Sequence, residues 1–130
     1  IAVASDGNSL RNTGALSNGK PHPRSYGTNT RFIEDMVVNK KKVSISNAIY
    51  RMTSLPASRI GLKNRGEIKK GYFADINIFK PEELKENATF VDPHQYSTGM
   101  KWVLVNGKIA LKDGKKIEGR FGKVVRSKEG

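Results

Sequence analysis

The hydrophobic period of this sequence changes once, near Gly61, and the change divides the chain in two. Before it, apolar residues recur at helical spacing: Phe32, Ile33, Met36 and Val37, then Ala48, Ile49, Met52 and Leu55. After it, Ala74-Asp75-Ile76-Asn77-Ile78-Phe79 alternates apolar with polar residues, as a half-buried strand does. Trp102-Val103-Leu104-Val105 reads as a second strand, and Asn106-Gly107 as a two-residue hairpin turn that returns through residues 108–111. Asp113-Gly114 suggests another turn and Val124-Val125 a last short strand, with a polar, fraying tail from Ser127. Residues 1–61 and 62–130 are therefore expected to form two structural units.

The first unit begins oddly. Ile1-Ala2-Val3-Ala4 is an apolar run without polar alternation, which suits a strand buried on both faces of a parallel sheet. Residues 5–27 follow, rich in Gly, Asn, Ser and Pro. A loop of that length inside a compact domain is unusual and is often functional. Helix is expected from about Thr30 to Asn39, with Glu34 and Asp35 on its polar side. A second helix is expected after a Ser44 or Ser46 cap, with Pro56 either stopping it or opening a third turn that Gly61 ends. A single buried strand among helices has nothing to pair with. Its sheet partners, and the true amino terminus, are expected upstream of Ile1.

Composition excludes several classes of chemistry. The sequence has no cysteine, which removes disulfides, thiolate nucleophiles and thiolate metal sites and fits a cytoplasmic protein. No apolar run is long enough to span a bilayer, so no membrane partner is expected. The core should be modest and built largely from Val, Ile and Leu. With 24 basic against 12 acidic residues the formal net charge is +12, a value that makes a nucleic-acid-binding module worth considering. Only Lys40 to Lys42 form a basic run, and aromatics are not interleaved with the basic residues. A solvated lysine-rich surface therefore accounts for the charge better than nucleic-acid binding.

Two short segments carry chemistry. Asp6 follows the apolar run, where α/β architectures keep reactive groups at the carboxyl ends of their strands, and Gly7 would let the chain turn there. A carboxylate so placed can take a proton from a water and return it to a leaving group. Alone, Ser5-Asp6-Gly7 is more simply a turn. In His22-Pro23-Arg24-Ser25-Tyr26-Gly27, the Arg24 guanidinium offers a planar fork suited to a carboxylate, held on a stiff proline-flanked loop, with His22 as a second donor. The two segments share one loop, so they can face one pocket. His94 and Asp75 are read as structural, and Trp102 as a core or interdomain residue.

Both segments resemble the last barrel strand and following loop of the N-acyl-D-amino-acid deacylases, a branch of the metal-dependent amidohydrolases. The resemblance continues through Arg51-Met52-Thr53-Ser54-Leu55-Pro56-Ala57, Gly61-Leu62-Lys63 and Arg65-Gly66. It resumes at Gly71-Tyr72-Phe73-Ala74-Asp75, Asp92-Pro93-His94-Gln95-Tyr96 and Val103-Leu104-Val105-Asn106-Gly107. The chain departs from the family pattern at Gly27-Thr28-Asn29-Thr30-Arg31, where members have an aromatic and a proline before the arginine.

What the resemblance implies is an α/β fold. Residues 1–61 would supply the last strand and helices of a TIM-type (β/α)8 barrel, and 62–130 part of a small β-sandwich; the chain by itself would look α+β. It implies hydrolysis of the amide of an N-acyl-D-amino acid, with Asp6 as general base and acid close to zinc and as a weak or indirect metal contact. Arg24 would grip the substrate α-carboxylate and His22 touch the substrate. The remaining zinc ligands would lie upstream, so this chain alone should neither hold catalytic zinc nor turn over substrate, and its uncovered apolar faces should lead either to self-association or to disorder before about residue 40. The alternatives are a dihydroorotase- or hydantoinase-like cyclic amidase, a non-catalytic basic binding module, and a structural domain that has lost activity.

Overall fold

The computed structural model describes residues 1–126; the expected fraying from Ser127 lies outside the described residues. Helices fill the first half and one antiparallel sheet the second, in the order that the change of period predicts. α1 (Arg24–Phe32) runs directly into a π-helical stretch, Ile33–Asn39, followed by α2 (Ile45–Met52) and α3 (Ser54–Arg59). β1 (Ile76–Phe79), β2 (Met100–Val105), β3 (Lys108–Lys112) and β4 (Lys115–Lys116) form a meander in sequence order.

Local chemistry explains most boundaries. Of the two candidate caps it is Ser44 that starts α2, its hydroxyl accepting from the Asn47 N–H at 3.3 Å. Pro56 lies within the first turn of α3, where a missing N–H costs no helical bond. Gly61 takes φ 72° and closes the helix, with Leu62 N–H reaching back to Ala57 O at 2.9 Å and Gly61 N–H to Ser58 O at 3.3 Å. Asn106-Gly107 (φ 50° and 79°) and Asp113-Gly114 (φ 49° and 75°) are both tight hairpin turns with two residues in the left-handed region.

Residues 1–4 join no β-ladder among the described residues: Val3 N–H donates to Arg51 O at 3.0 Å, and Ile1 is fully exposed. The pairing partners of a strand there are expected upstream of Ile1. Three expectations are corrected. Helix begins at Arg24 rather than Thr30, so the His-Pro-Arg run is the start of α1 and not a stiff loop. Pro23 stands at its N-cap with φ −50° and ψ −26°, already helical, and proline is well tolerated there. Glu34, expected on the polar side, turns inward: it lies four residues after buried Thr30 and next to buried Ile33, on the same helix face. Val124-Val125 forms no strand; the last ladder-like bond is Ile117 N–H to Ala110 O, and Val124 beyond it is exposed.

The core is smaller and differently composed than expected. Among the described residues the buried hydrophobic ones are Ile33, Ala48, Ala57, Leu84 and Ala88, three of the five being alanine. Accessible surface totals 9378 Å², against roughly 6,800 Å² for a compact monomer of this mass. What joins the two halves is the segment 80–99, which doubles back through a Lys85–Thr98 bridge and lays Leu84, Glu86 and Ala88 against α1 and the π-helical stretch.

Candidate active site

Asp6, His22 and Arg24 come together at the amino-terminal end of α1. The Arg24 Nη2 lies 2.9 Å from Asp6 Oδ2, an ion pair that keeps considerable solvent exposure on both side chains. Arg24 is the first residue of α1, where the helix dipole opposes a cation and favours the Asp6 carboxylate beside it. Helix stability alone would not select arginine there.

The approach of Asp6 depends on Gly7, though not through a turn. A Cβ on Gly7 would lie 2.8 Å from Ser25 Cα and 3.1 Å from Arg24 O, so the loop touches the helix start only because this side chain is absent. The contact is fastened by Asn8 N–H donating to Ser25 Oγ at 3.2 Å. Asp6 itself takes φ 49°, a left-handed conformation that aspartate adopts more readily than most residues.

His22 Nδ1 accepts the Arg24 backbone N–H at 3.1 Å, and its ring packs edge-on against Phe90 with centroids 4.8 Å apart. With Nδ1 accepting, the neutral ring carries its hydrogen on Nε2. His22 and Arg24 line a cleft of about 280 Å³ whose other walls include Val3, Phe32, Met36 and Glu86. Thus three cationic or hydrogen-bond-donating groups, His22, Arg24 and Arg31, and two carboxylates, Asp35 and Glu86, border the hollow, and Asp6 stands outside its lining, reached through Arg24. Such a site can hold an anion and move a proton next to it.

The donor set does not make a metal site. Among the described residues no three His, Asp or Glu side chains converge as a metal centre requires. Asp6 is engaged by Arg24, and one nitrogen of His22 by the Arg24 backbone.

Two residues at the site, Tyr26 and Glu86, escaped sequence reasoning. Tyr26, on the first turn of α1, directs its hydroxyl at Arg11 O and at His94 Nδ1, both 2.7 Å away. Burial pushes the Tyr26 phenol up, and neighbouring Tyr96 adds to the shift. Glu86 packs its side chain on Gly27, where any Cβ would strike it. Burial likewise pushes the Glu86 carboxyl up; Arg31 at 3.7 Å opposes this and Glu34 reinforces it, while Glu86 Oε1 takes no hydrogen bond. The signal for Glu86 was an acidic residue within the Leu84–Ala88 apolar pair, visible only once that pair is known to be buried. His94, read as a packing residue, lies in this cluster with Nε2 2.8 Å from Gly19 O.

Residues 17–111 match the Amidohydrolase family. N-acyl-D-aspartate deacylase of Alcaligenes xylosoxydans xylosoxydans is 42% identical over 88 residues, which are 68% of this chain and 18% of that protein. D-aminoacylase of the same organism is 38% identical over 88 residues, with the same shares of each chain. Among solved structures, N-acyl-D-glutamate deacylase from Bordetella bronchiseptica, complexed with zinc and a phosphonate inhibitor, aligns with a TM-score of 0.81 and 35% identity over 96% of this chain and 25% of that one. A crystal structure of D-aminoacylase aligns at 0.77 with 32% identity, over 81% of this chain and 22% of its own. The chain spans about a fifth of the length of the curated relatives it matches, 18% for both of those named.

Proposed function

The chain belongs to the amidohydrolase family, and from that premise we propose that it is the carboxy-terminal part of an enzyme hydrolysing the amide bond of N-acyl-D-amino acids. Residues 1–61 are then the close of a TIM-type barrel and 62–130 a portion of the accompanying β-sandwich. The observation that carries the reading is the 2.9 Å approach of Asp6 to Arg24. In an N-acyl amino acid a single carbon separates the carboxylate from the scissile amide nitrogen. A carboxylate clamp and a proton-transferring group serving that substrate must therefore stand within a few ångströms of each other. The named relatives do not favour the cyclic-amidase alternative.

Each residue has a distinct part. Arg24 takes the α-carboxylate in a bidentate bond, displacing Asp6 from its guanidinium. His22 donates from Nε2 to the same anion. Asp6, once displaced, accepts a proton from the attacking water and delivers it to the departing amine nitrogen. The products are a free carboxylate and a D-amino acid. Zinc belongs to this reading as the cofactor of the whole enzyme, but the groups present in this chain do not fit a complete zinc site, and no step is assigned to a metal that they hold.

The test is hydrolysis of N-acyl-D-amino acids by the complete gene product supplied with zinc. Asp6→Asn should remove turnover while leaving most of the zinc bound. Arg24→Ala should raise the Michaelis constant about a hundredfold, the loss expected when a charge-assisted bond is deleted. Full activity of the Asp6 variant, or an unchanged Michaelis constant in the Arg24 variant, defeats the assignment.

A further inference from the structure

Residues 8–22 bury almost nothing, yet their path is fixed by side chains that arrive from elsewhere in the chain. The Tyr26 hydroxyl, on α1, meets Arg11 O at 2.7 Å. His94 Nε2 donates to Gly19 O at 2.8 Å, and the Tyr96 hydroxyl accepts from Asn12 N–H at 3.3 Å. The three rings form one cluster: Tyr26 stands edge-on to His94 with centroids 5.6 Å apart and tilted against Tyr96 at 5.7 Å, and Tyr26 O lies 2.7 Å from His94 Nδ1. Three backbone groups of a sparsely supported loop thus meet one aromatic cluster, with the single Tyr26 O–H hydrogen serving either Arg11 O or His94 Nδ1 at a time.

We propose that Tyr26 and His94 are positioning residues for the substrate clamp, an inference that rests on the deacylase reading above. The route is short. His94 pins Gly19, three residues before His22, and Pro21 and Pro23 on either side of His22 have restricted φ and transmit that constraint with little slack. On the other side Tyr26 is held within the same turn of helix as Arg24, whose N–H bonds to His22 Nδ1. Releasing either end frees His22 and the first turn of α1 to move against each other, and a misplacement of about 1 Å is enough to weaken a bidentate carboxylate bond severely. Tyr26 and His94, which join the two segments, stand 68 positions apart in the chain. In the proposed mechanism Tyr26 and His94 touch neither the substrate carboxylate, which His22 and Arg24 hold, nor the reacting amide.

Tyr26→Phe keeps the ring and removes only the hydroxyl. In the complete gene product it should raise the Michaelis constant for N-acyl-D-amino acids about tenfold, the worth of one hydrogen bond, while kcat changes less than about threefold. Combined with Arg24→Ala it should add no further loss, since a positioning residue has nothing left to position; a purely structural residue would give additive losses. His94→Ala should behave in the same way. Amide hydrogen exchange supplies a readout that needs no substrate: Tyr26→Phe should speed exchange in 8–22 and leave α2 and β2 unchanged. Wild-type exchange in that loop, or additive losses with Arg24→Ala, overturns the proposal. If the complete protein hydrolyses no N-acyl-D-amino acid, the deacylase reading falls, and the exchange experiment still decides whether Tyr26 and His94 hold the loop.

Discussion

Two glutamates that meet where the segment 80–99 crosses the π-helical stretch show how differently this chain treats the same functional group. Glu34 Oε2 accepts the Glu86 N–H at 2.9 Å and Oε1 lies 3.0 Å from Lys85 Nζ. Those contacts, the backbone bond foremost, hold its carboxyl below the usual glutamate value of 4.5. Glu86, nine-tenths buried and with one oxygen unbonded, is displaced upward. The consequences for stability have opposite signs. A depressed folded-state value means that Glu34 contributes stability above its unfolded value, and that the contribution is lost as pH falls through the folded one. A raised value means that Glu86 costs stability once pH rises through its unfolded value, and costs nothing below it. At pH 7, Glu86→Gln should therefore raise the urea midpoint by the equivalent of about 1 kcal/mol, the scale of relieving one strained buried polar group. Glu34→Gln should lower it. Both differences should shrink as pH is brought below 4.5. A Glu86 variant less stable than the parent at pH 7 would show that its loose pairing with Arg31 outweighs its burial.

At the scale of elements, the sheet is locked to the segment after α3 by one arginine. Arg65 is ion-paired with Asp75, donates from Nη2 to Asn106 Oδ1 at 2.8 Å and lies 4.2 Å from the centre of the Phe73 ring. Asn106, already required for the hairpin by its φ of 50°, also donates its N–H to Asp75 Oδ1 at 2.8 Å and gives its amide to Phe121 O at 2.6 Å. Arg65→Ala leaves Asp75 without its cation and should cost about 2 kcal/mol, less than a fully buried pair because Asp75 is more than a third exposed. Urea unfolding measures this, and the loss should be smaller when Asp75 is already asparagine; additive losses would mean that the two side chains are not coupled. The hairpin was legible in the sequence because Asn-Gly chemistry is local. So were the helix ends at Ser44 and Gly61, where one residue type satisfies one orphaned backbone group. The Arg65 clip was not, since it joins residues ten and forty-one positions apart. The start of α1 was misread for the same reason: Pro23 and Gly27 look like loop residues, and only the Glu86 side chain lying over Gly27 makes that glycine a packing position. At the site, local chemistry left Asp6 a turn residue and Arg24 a loop residue. It was the ordered resemblance to deacylases that singled them out, and nothing in the sequence marked Tyr26 or Glu86 as their neighbours.

The whole molecule is open. On folding it removes about 55% of the surface of its extended chain, where a compact domain of this size removes about two thirds. Part of the difference is concentrated where α2 and α3 face the sheet across a hollow of about 610 Å³ lined by Ile45, Ile49, Tyr50, Ile68, Phe73 and Phe79. Ile68 is 88% exposed, and Tyr50 and Phe73 remain about half exposed. β1 closes the sheet on the same side with no strand beyond it among the described residues, leaving an edge able to pair. Large exposed apolar patches mark surfaces that associate. The 130-residue chain, prepared by itself, is therefore expected to sediment as dimers or larger species. Salt should strengthen that association, as it does apolar contacts, and not weaken it as it would pairing between charges. Ile68→Lys places a cation at the exposed rim of the hollow, a position that contributes little to folding, so its effect on stability should stay within about 0.5 kcal/mol. Its effect on association should be about tenfold or more, since each new contact between copies would bury the charge. A chain that stays monomeric at about 100 μM, or an Ile68→Lys variant that unfolds without any change in association, would show that the hollow is covered from within by the chain's own side chains.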